Sequence, residues 1–362
     1  MDYEGRLARL QHDLVSAGLD ALLVSHLPNI RYLCGFTGSA AALLVSKQKA
    51  VFFTDGRYKQ QAHEEVQGAR IVVDRKPPIS AAADWLNRNR KKLTVKGLGF
   101  DSQHLTVAEH GDLAEMLRPN VSLRKAPAVI ERARLVKDGD EIGSLRAAIR
   151  LGESLFSVAV RAIRPGVAET QVAAEMEYAA RRAGAEGMSF ETIIASGLRS
   201  ALPHGRASSA PIPSEGFVVC DFGIILAGYC SDMTRTVHVG EPSEPARRMY
   251  DAVREAQEAA LNAVRPGVPV GKIDSVARHV LSRQNFGRYF THSTGHGVGL
   301  EIHEMPRIAA RQREPLLPGM IITIEPGVYI PNSGGVRIED MVLVTNTGCE
   351  VLTQTSKELL LI

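Results

Sequence analysis

The sequence has few of the features that mark secreted, membrane-bound or nucleic-acid-binding proteins. Its four cysteines (Cys34, Cys220, Cys230 and Cys349) show neither CxxC spacing nor the density of a disulfide scaffold, and no signal-peptide pattern opens the chain. No apolar run approaches the roughly eighteen residues that a membrane span needs. The densest basic cluster is RKK at 90–92, and Lys and Arg (43) barely outnumber Asp and Glu (40). We therefore expect a soluble protein of the reducing cytoplasm that binds neither membranes nor nucleic acid.

The sequence does contain enough chain and enough apolar residues for a folded enzyme. Its 362 residues exceed the usual size of one domain, so we expect two domains, or one large domain with a smaller companion. Hydrophobic residues make up 44% of the chain and charged residues 23%. These values exclude a disordered, collagen-like or coiled-coil protein.

The first part of the chain alternates helical and strand patterns, which is typical of a compact mixed α/β domain. The predicted elements are helices at 6–17, from near 57, around 85 and through 113–117, and strands at 21–25, 41–46, 51–54, 71–73 and 98–100. The periodicity is lost over 124–137. The spacing Asp138-x-x-Glu141 then resembles the capping box of a long helix that ends near Ile163. We predict domains of residues 1–127 and 128–362.

An internal repeat follows that helix. The segment IRPGV at 163–167 recurs as VRPGV at 264–268, and each copy lies between two predicted helices. Each copy then leads to a His-Gly pair, at 204–205 and 296–297, and to a β-hairpin segment. Chance recurrence of a common helix stop is one explanation. The shared order of four elements favours two similar α-β halves about a pseudo-twofold axis, with their strands in one curved sheet.

Each of the two hairpin segments carries an acidic residue on each of its strands. These residues are Asp221 and Asp232 in the first half, and Glu325 and Glu339 in the second. An ionised carboxylate is costly to bury without a cation or hydrogen-bond donors. An isolated one would usually lie at the surface or in an ion pair. Four at matched positions in two halves favour a shared metal site.

His296 adds a nitrogen to this set of oxygen ligands. It lies in THSTGHGVGLEIHE, where Gly295, Gly297 and Gly299 allow close backbone approach. A phosphate-binding loop is the alternative, but no GxxxxGK[ST] or GxGxxG framework accompanies it. Four carboxylates and one imidazole suit hard or borderline divalent ions, such as Mn²⁺, and also Co²⁺ or Zn²⁺. Two ions fit better than one, because bridging carboxylates would share their charge.

These segments resemble the metal-binding segments of the pita-bread metallopeptidases, which include aminopeptidase P, prolidase and methionine aminopeptidase. The resemblance rests on CDFG, YCSDMTRT, THSTGHGVGLEIHE, TIEPGVY and GGVRIEDMVLV, and the N-terminal PNIRYLCGFTGS and FFTDGRY are similar to the creatinase-type domain of the Xaa-Pro-cleaving branch. It implies an α/β (α+β) protein with a creatinase-like N-terminal domain and a pita-bread catalytic domain. It also implies that Asp221 binds one metal, that His296 and Glu325 bind the other, and that Asp232 and Glu339 bridge them.

The resemblance implies further residues around the metals. His204, His292 and His303 match the additional histidines of Xaa-Pro peptidases, with roles in placing substrate and stabilising the tetrahedral oxyanion. Arg337 is predicted to anchor a metal-binding carboxylate, with a surface arginine as the alternative. Tyr329 is predicted to donate a hydrogen bond near the substrate, although a strand tyrosine usually serves packing.

The implied reaction is hydrolysis of an Xaa-Pro bond at the N-terminus of a short peptide. Glu325 is the candidate to take a proton from the attacking water and pass it to the leaving nitrogen. The N-terminal motifs favour an Xaa-Pro aminopeptidase. The alternative is an Xaa-Pro dipeptidase (prolidase), in which Arg307 would bind the free carboxylate of a dipeptide. The complete ligand set disfavours a non-catalytic binding protein or creatinase-like amidinohydrolysis, and we expect a homodimer.

Overall fold

The structure, a computed structural model, describes residues 1–117, 119 and 121–362. These residues form two compact units, 1–134 and 135–362. The boundary that the sequence analysis places between residues 127 and 128, to separate the N-terminal from the catalytic domain, stays a prediction. Among the described residues, no helix has the length and apolar character needed to cross a membrane.

The first unit is an α/β unit with one sheet. Its elements, in chain order, are α1 (Tyr3–Ser16), β1 (Ala21–Val24), α2 (Leu27–Cys34), β2 (Ala42–Ser46), β3 (Ala50–Thr54), α3 (Lys59–Glu65), β4 (Arg70–Val73), α4 (Pro78–Leu93), β5 (Gly97–Phe100), α5 (Val107–Met116), β6 (Ser122–Lys125) and α6 (Val129–Leu135). The sheet order is β4-β3-β2-β1-β5-β6. Strands β1, β5 and β6 run parallel, so their carboxyl ends lie at the same edge of the sheet.

Most elements of the first unit follow from the sequence pattern. Strands β1, β2 and β3 are buried along their whole length, which explains their continuous apolar runs. Helices α2 and α6 and strand β6 were not among the predicted elements. Helix α2 has only eight residues, with a proline in its first turn and Gly35 at its end with φ of 87°. Such a helix is too short to show a clear 3.6-residue period, and its end signals are local.

The second unit contains the internal repeat. Its elements, in chain order, are α7 (Gly139–Ala162), α8 (Glu169–Arg182), β7 (Gly187–Met188), β8 (Ile193–Ser196), β9 (Gly216–Phe222), β10 (Ile224–Leu226), β11 (Tyr229–Cys230), β12 (Met233–Val239), α9 (Glu244–Ala263), α10 (Val270–Arg283), β13 (Gly295–Gly297), β14 (Glu304–Ile308), β15 (Ile321–Ile324), β16 (Gly327–Ile330), β17 (Gly334–Arg337), β18 (Asp340–Val344) and β19 (Cys349–Val351). The predicted capping box at the start of α7 is present, with Asp138 accepting from the Glu141 N–H at 2.9 Å.

The two halves share a helix pair with the same backbone turn between its helices. Helices α7 and α8 pack as a pair, as do α9 and α10. Between the helices of each pair lies a left-handed glycine, Gly166 with φ of 86° and Gly267 with φ of 82°. Their N–H groups donate to Ile212 O and Leu316 O, at 2.8 Å in both cases. The Arg-Pro-Gly motif is therefore a shared turn of two equivalent halves.

The hairpin segments form antiparallel strand pairs, β9 with β12 and β15 with β18. The first pair belongs to a three-stranded sheet with β8, and the second belongs to a five-stranded sheet with β13, β14 and β19. The two sheets are not paired strand to strand. One backbone hydrogen bond of 3.1 Å, from Glu339 N to Thr234 O, links them. This link brings the acidic ends of the two strand pairs together.

Candidate metal centre

The two strand pairs and β13 bring the four predicted carboxylates and His296 to the wall of one cleft. Asp221 lies near the end of β9, and Asp232 immediately precedes β12. Glu325 immediately follows β15, and Glu339 immediately precedes β18. The carboxylates therefore project from strand ends, where the backbone on either side is fixed by the ladders.

Two glycines allow β13 to carry His296 into this site. Strand β13 lies between β14 and β15. A Cβ atom at Gly295 would collide with the carbonyl of Thr323, and one at Gly297 would collide with the carbonyl of Met305. Only glycine permits this spacing on both sides of the histidine, as the sequence predicted.

The His296 ring is oriented toward the carboxylates. Its Nδ1 donates to the Gly297 carbonyl at 3.0 Å, which leaves the lone pair on Nε2. Nε2 lies 3.5 Å from Asp232 Oδ2 and 3.4 Å from Glu325 Oε1. Asp232, His296 and Glu339 each offer one ligand atom, and these atoms lie within 4.8 Å of one another. This is the spacing of donors around a common cation.

The electrostatics of the cluster favour a bound cation. Burial, reinforced by the neighbouring carboxylates, raises the pKa values of Asp232 and Glu339 well above their ordinary range. Burial also raises the pKa of Glu325 to about 8 and lowers that of His296 to about 4. In addition, Glu339 Oε1 is buried without a hydrogen-bond partner among the described residues. A divalent ion would neutralise the carboxylates and use this oxygen, so the residues fit a metal site.

Arg337 and Thr234 hold two of the carboxylates in position. The guanidinium is buried and donates from Nη2 to Asp221 Oδ2 at 2.5 Å, and from Nε to Thr234 Oγ1 at 3.1 Å. The Thr234 hydroxyl in turn donates to Glu339 Oε2 at 2.8 Å. Arg337 therefore contacts Asp221, and its role as the anchor of a metal-binding carboxylate stays a prediction. The role of Thr234 was missed, and its only signal was its place in the motif SDMTRT.

His292 and Tyr329 belong to the same hydrogen-bonded network. The Tyr329 hydroxyl accepts from Arg337 Nη1 at 2.6 Å and donates to His292 Nε2 at 2.9 Å, while His292 Nδ1 donates to the Ser293 carbonyl at 2.8 Å. Burial and the nearby Arg337 lower the pKa of His292 to about 4. His292 is thus neutral with both nitrogens engaged, and Tyr329 is buried behind it. The predicted contacts of both residues with substrate stay predictions.

The other predicted residues line the cleft in front of the carboxylates. The cleft has a volume of about 770 Å³, and its lining includes His204, His303 and Arg307. The His303 ring is edge-on to the His296 ring, with centroids 4.5 Å apart. Burial lowers the pKa of His303. His204 and Arg307 are exposed, so all three side chains are available to a bound molecule.

Glu304 is a further residue of the cleft that the sequence did not reveal, and Lys137 is its ion-pair partner. Glu304 begins β14 and lines the cleft. Its Oε2 lies 3.1 Å from Lys137 Nζ, and the two side chains are only 7% and 1% exposed. The residues are 167 positions apart, so no local pattern could have joined them.

Two family descriptions match the chain. Residues 143–346 match metallopeptidase family M24, and residues 6–136 match the creatinase/prolidase N-terminal domain. The first match covers more than half of the chain. The chain belongs to metallopeptidase family M24. Membership of family M24 confirms the resemblance to the pita-bread metallopeptidases and the predicted two-part α/β architecture. It also confirms the predicted activity class, which is that of a metallopeptidase. The family implies divalent metal ions, in agreement with the donor set.

Several proteins are similar to this M24 metallopeptidase over almost its whole length. The structure of an Xaa-Pro dipeptidase from Bacillus anthracis is 40% identical with a TM-score of 0.95, covering 99% of this chain and 100% of that one. An Xaa-Pro dipeptidase from Pyrococcus horikoshii is 37% identical over 94% of this chain and 95% of its own. The structure of an X-Pro aminopeptidase from Thermotoga maritima is 35% identical with a TM-score of 0.89, covering 98% and 100%.

Proposed function

We propose that this metallopeptidase is an Xaa-Pro dipeptidase, which hydrolyses dipeptides whose second residue is proline. The observation that carries this proposal is that the exposed cation of Arg307 lines the same cleft as the carboxylate cluster. A dipeptide presents a free carboxylate close to its scissile bond, and a guanidinium is well suited to bind it. The names of the relatives from Bacillus anthracis and Pyrococcus horikoshii support the same function. This proposal replaces the aminopeptidase favoured by the N-terminal motifs.

We propose two divalent ions as cofactors, with Mn²⁺ ahead of Co²⁺ and Zn²⁺. Asp221 would bind one ion, His296 and Glu325 the other, and Asp232 and Glu339 both. The raised carboxylate pKa values and the buried Glu339 Oε1 support this arrangement. When bound, the ions supply Lewis-acid activation of water and of the scissile carbonyl.

The side chains of the cleft supply proton transfer and orientation. Glu325 takes a proton from the attacking water and returns it to the leaving proline nitrogen. His204 and His303 donate hydrogen bonds to the substrate carbonyl oxygen as negative charge develops on it. Proline has no N–H to satisfy, so its ring needs an apolar wall. Phe190, Ile193 and Ile302 provide apolar surface in the same cleft.

The carboxylate assignment is tested by Arg307→Ala. We expect KM for an Xaa-Pro dipeptide to rise about tenfold or more, because a charge-assisted bond of roughly 1.5–3 kcal/mol is lost. KM for the same dipeptide with an amidated C-terminus should change little. Arg313→Ala, which removes another exposed arginine outside the cleft lining, is the matched control. Equal losses on the acid and the amide would contradict the assigned contact.

An Xaa-Pro aminopeptidase is the second candidate, favoured by the N-terminal motifs and by the similarity to the Thermotoga maritima protein. In that case the peptide amine is the main anchor, and Xaa-Pro-Xaa should be cleaved at least as well as Xaa-Pro. Comparing kcat/KM on the two substrate lengths separates the candidates. A dipeptidase should show turnover of Xaa-Pro and little or none of Xaa-Pro-Xaa.

We also propose short proline-containing peptides as the physiological partners, a homodimer as the assembly and the cytoplasm as the location. The cysteine pattern of the sequence supports the location. Sedimentation of the purified protein tests the dimer.

A further inference from the structure

A second cluster of metal-ligating side chains lies in the first unit, beyond the carboxyl ends of two parallel strands. His26 follows β1 and caps the start of α2, Asp101 directly follows β5, and His104 is three residues further on. Strands β1 and β5 are neighbours in parallel register. Residues that follow such strands meet at one edge of the sheet, where α/β units commonly bind ligands.

The three side chains have donor atoms close to one another. One ligand atom from each of His26, Asp101 and His104 lies within 4.8 Å of the other two. His104 Nε2 is 4.0 Å from Asp101 Oδ2, and these side chains are 28% and 14% exposed. The group is therefore partly shielded from solvent and contains two imidazole nitrogens and one carboxylate. That donor set suits a borderline divalent ion such as Zn²⁺.

A second carboxylate, that of Glu131, lies close to Asp101. Asn29 donates from Nδ2 to Glu131 Oε1 at 2.7 Å and to Asp101 Oδ2 at 3.4 Å, which ties the two carboxylates together. Burial raises the pKa of Asp101, His104 opposes this rise, and the charge of Glu131 adds to it. Arg134 is linked to these two carboxylates through Asn29, because its guanidinium donates a hydrogen bond to Asn29 Oδ1 at 2.6 Å. A cation beside Asp101 would reduce the repulsion between the carboxylates.

Space for water is available next to Asp101. With Ser102 and Glu131 it lines a cavity of about 110 Å³. One water molecule needs roughly 10–15 Å³ of such space, so several can be accommodated. Zn²⁺ with three protein ligands commonly takes water as its fourth ligand.

We propose that His26, Asp101 and His104 bind one divalent ion of the Zn²⁺ type, independently of the carboxylate cluster of the second unit. The two imidazole rings are stacked, with centroids 3.5 Å apart and planes 10° apart. Parallel rings do not aim both lone pairs at one point, so binding requires one ring to rotate. The His104 side chain is 28% exposed, so protein does not enclose its ring on all sides. The ion would fasten the start of α2 to the end of β5.

The test measures Zn²⁺ stoichiometry on the full-length protein. The parent carries Asp232→Asn and Glu339→Gln, which weaken the proposed catalytic ligands. Adding His104→Gln, or separately Asp101→Asn, should remove one bound ion per chain or weaken its binding about tenfold or more, as measured by calorimetry and native mass spectrometry. His12→Gln removes an exposed histidine of α1 and should leave the stoichiometry unchanged.

Melting temperatures measured in the presence of a chelator show whether each variant is folded. Because His104→Gln and Asp101→Asn are made separately, the test remains valid if one of the two variants does not fold. The proposal predicts that Zn²⁺ raises the melting temperature of the parent, and that both variants lose this rise. Unchanged ion counts in the two folded variants would overturn the proposal, as would an equal loss in the His12→Gln control.

Discussion

Thr234 and Arg337 link the two halves of the metal centre at the level of single side chains. Arg337 donates to Asp221 of the first hairpin and to Thr234, and Thr234 donates to Glu339 of the second. Each of these carboxylates thus receives a fixed hydrogen bond on one oxygen. The other oxygen of Glu339, Oε1, is buried without a hydrogen-bond partner among the described residues, so its lone pairs are available to a metal.

We predict that Thr234→Val lowers the affinity for Mn²⁺ about ten- to hundredfold, because groups that orient metal ligands typically have this effect. The change preserves the shape of the side chain and removes the hydroxyl from Glu339. Thr54→Val is the matched control: Thr54 is equally buried, on β3, and its hydroxyl donates to the Ala40 carbonyl. Calorimetric titration should show a greater loss of affinity for Thr234→Val. Equal affinities in both variants would contradict the orienting role.

The raised pKa values of the cluster predict a pH-dependent effect of metal on stability. In the metal-free protein Glu325 has a pKa of about 8, against an ordinary value of 4.5. Its contribution to stability is therefore present below pH 4.5 and is lost as pH rises through about 8. Metal binds the ionised form and compensates that loss. The rise in melting temperature on adding Mn²⁺ should grow between pH 5.5 and 8.5, and a rise independent of pH would be inconsistent with these pKa values.

At the level of elements, strand β14 forms part of the wall of the cleft. It begins at Glu304, follows His303 directly and includes Arg307. The buried ion pair with Lys137 ties its first residue to the chain just before α7. Glu304 also accepts from Glu301 N at 3.1 Å, so its carboxylate fixes the turn before the strand.

We predict that Lys137→Met destabilises the protein by about 3–5 kcal/mol, because removing one member of a buried ion pair leaves a buried charge without its counterion. The double variant Lys137→Met/Glu304→Gln should recover part of the loss. Arg146→Met breaks a more exposed pair with Glu350 and should cost about 1 kcal/mol or less. Urea unfolding measures all three variants. A loss for Lys137→Met no larger than that for Arg146→Met would contradict the importance of burial.

The sequence predicted the elements whose signals are local. The capping box at Asp138, the repeated Arg-Pro-Gly turn and the acidic residues of the two hairpins all depend on neighbouring residues, and all are present. Contacts between distant segments were not predicted. The Lys137–Glu304 pair and the hydrogen bond from Thr234 to Glu339 exist only after the strands are assembled. The burial of Tyr329 behind His292 likewise depends on how β16 packs.

The duplicated halves explain the site at the scale of the whole second unit. Each half contributes two carboxylates from equivalent strand ends, and the Glu339 N to Thr234 O bond joins them. Four carboxylates in one buried cluster repel one another, so the fold without metal carries a cost that bound cations remove. We therefore expect metal binding to stabilise the alignment of the two halves.

The proposed function is tested most directly by hydrolysis of an Xaa-Pro dipeptide by metal-depleted protein that is titrated with Mn²⁺. We predict no turnover without metal, recovery that saturates at two ions per chain, and no recovery for Glu339→Gln under the same conditions. Turnover by the metal-free protein, or full recovery in the Glu339→Gln variant, would contradict a metal-dependent reaction at this site.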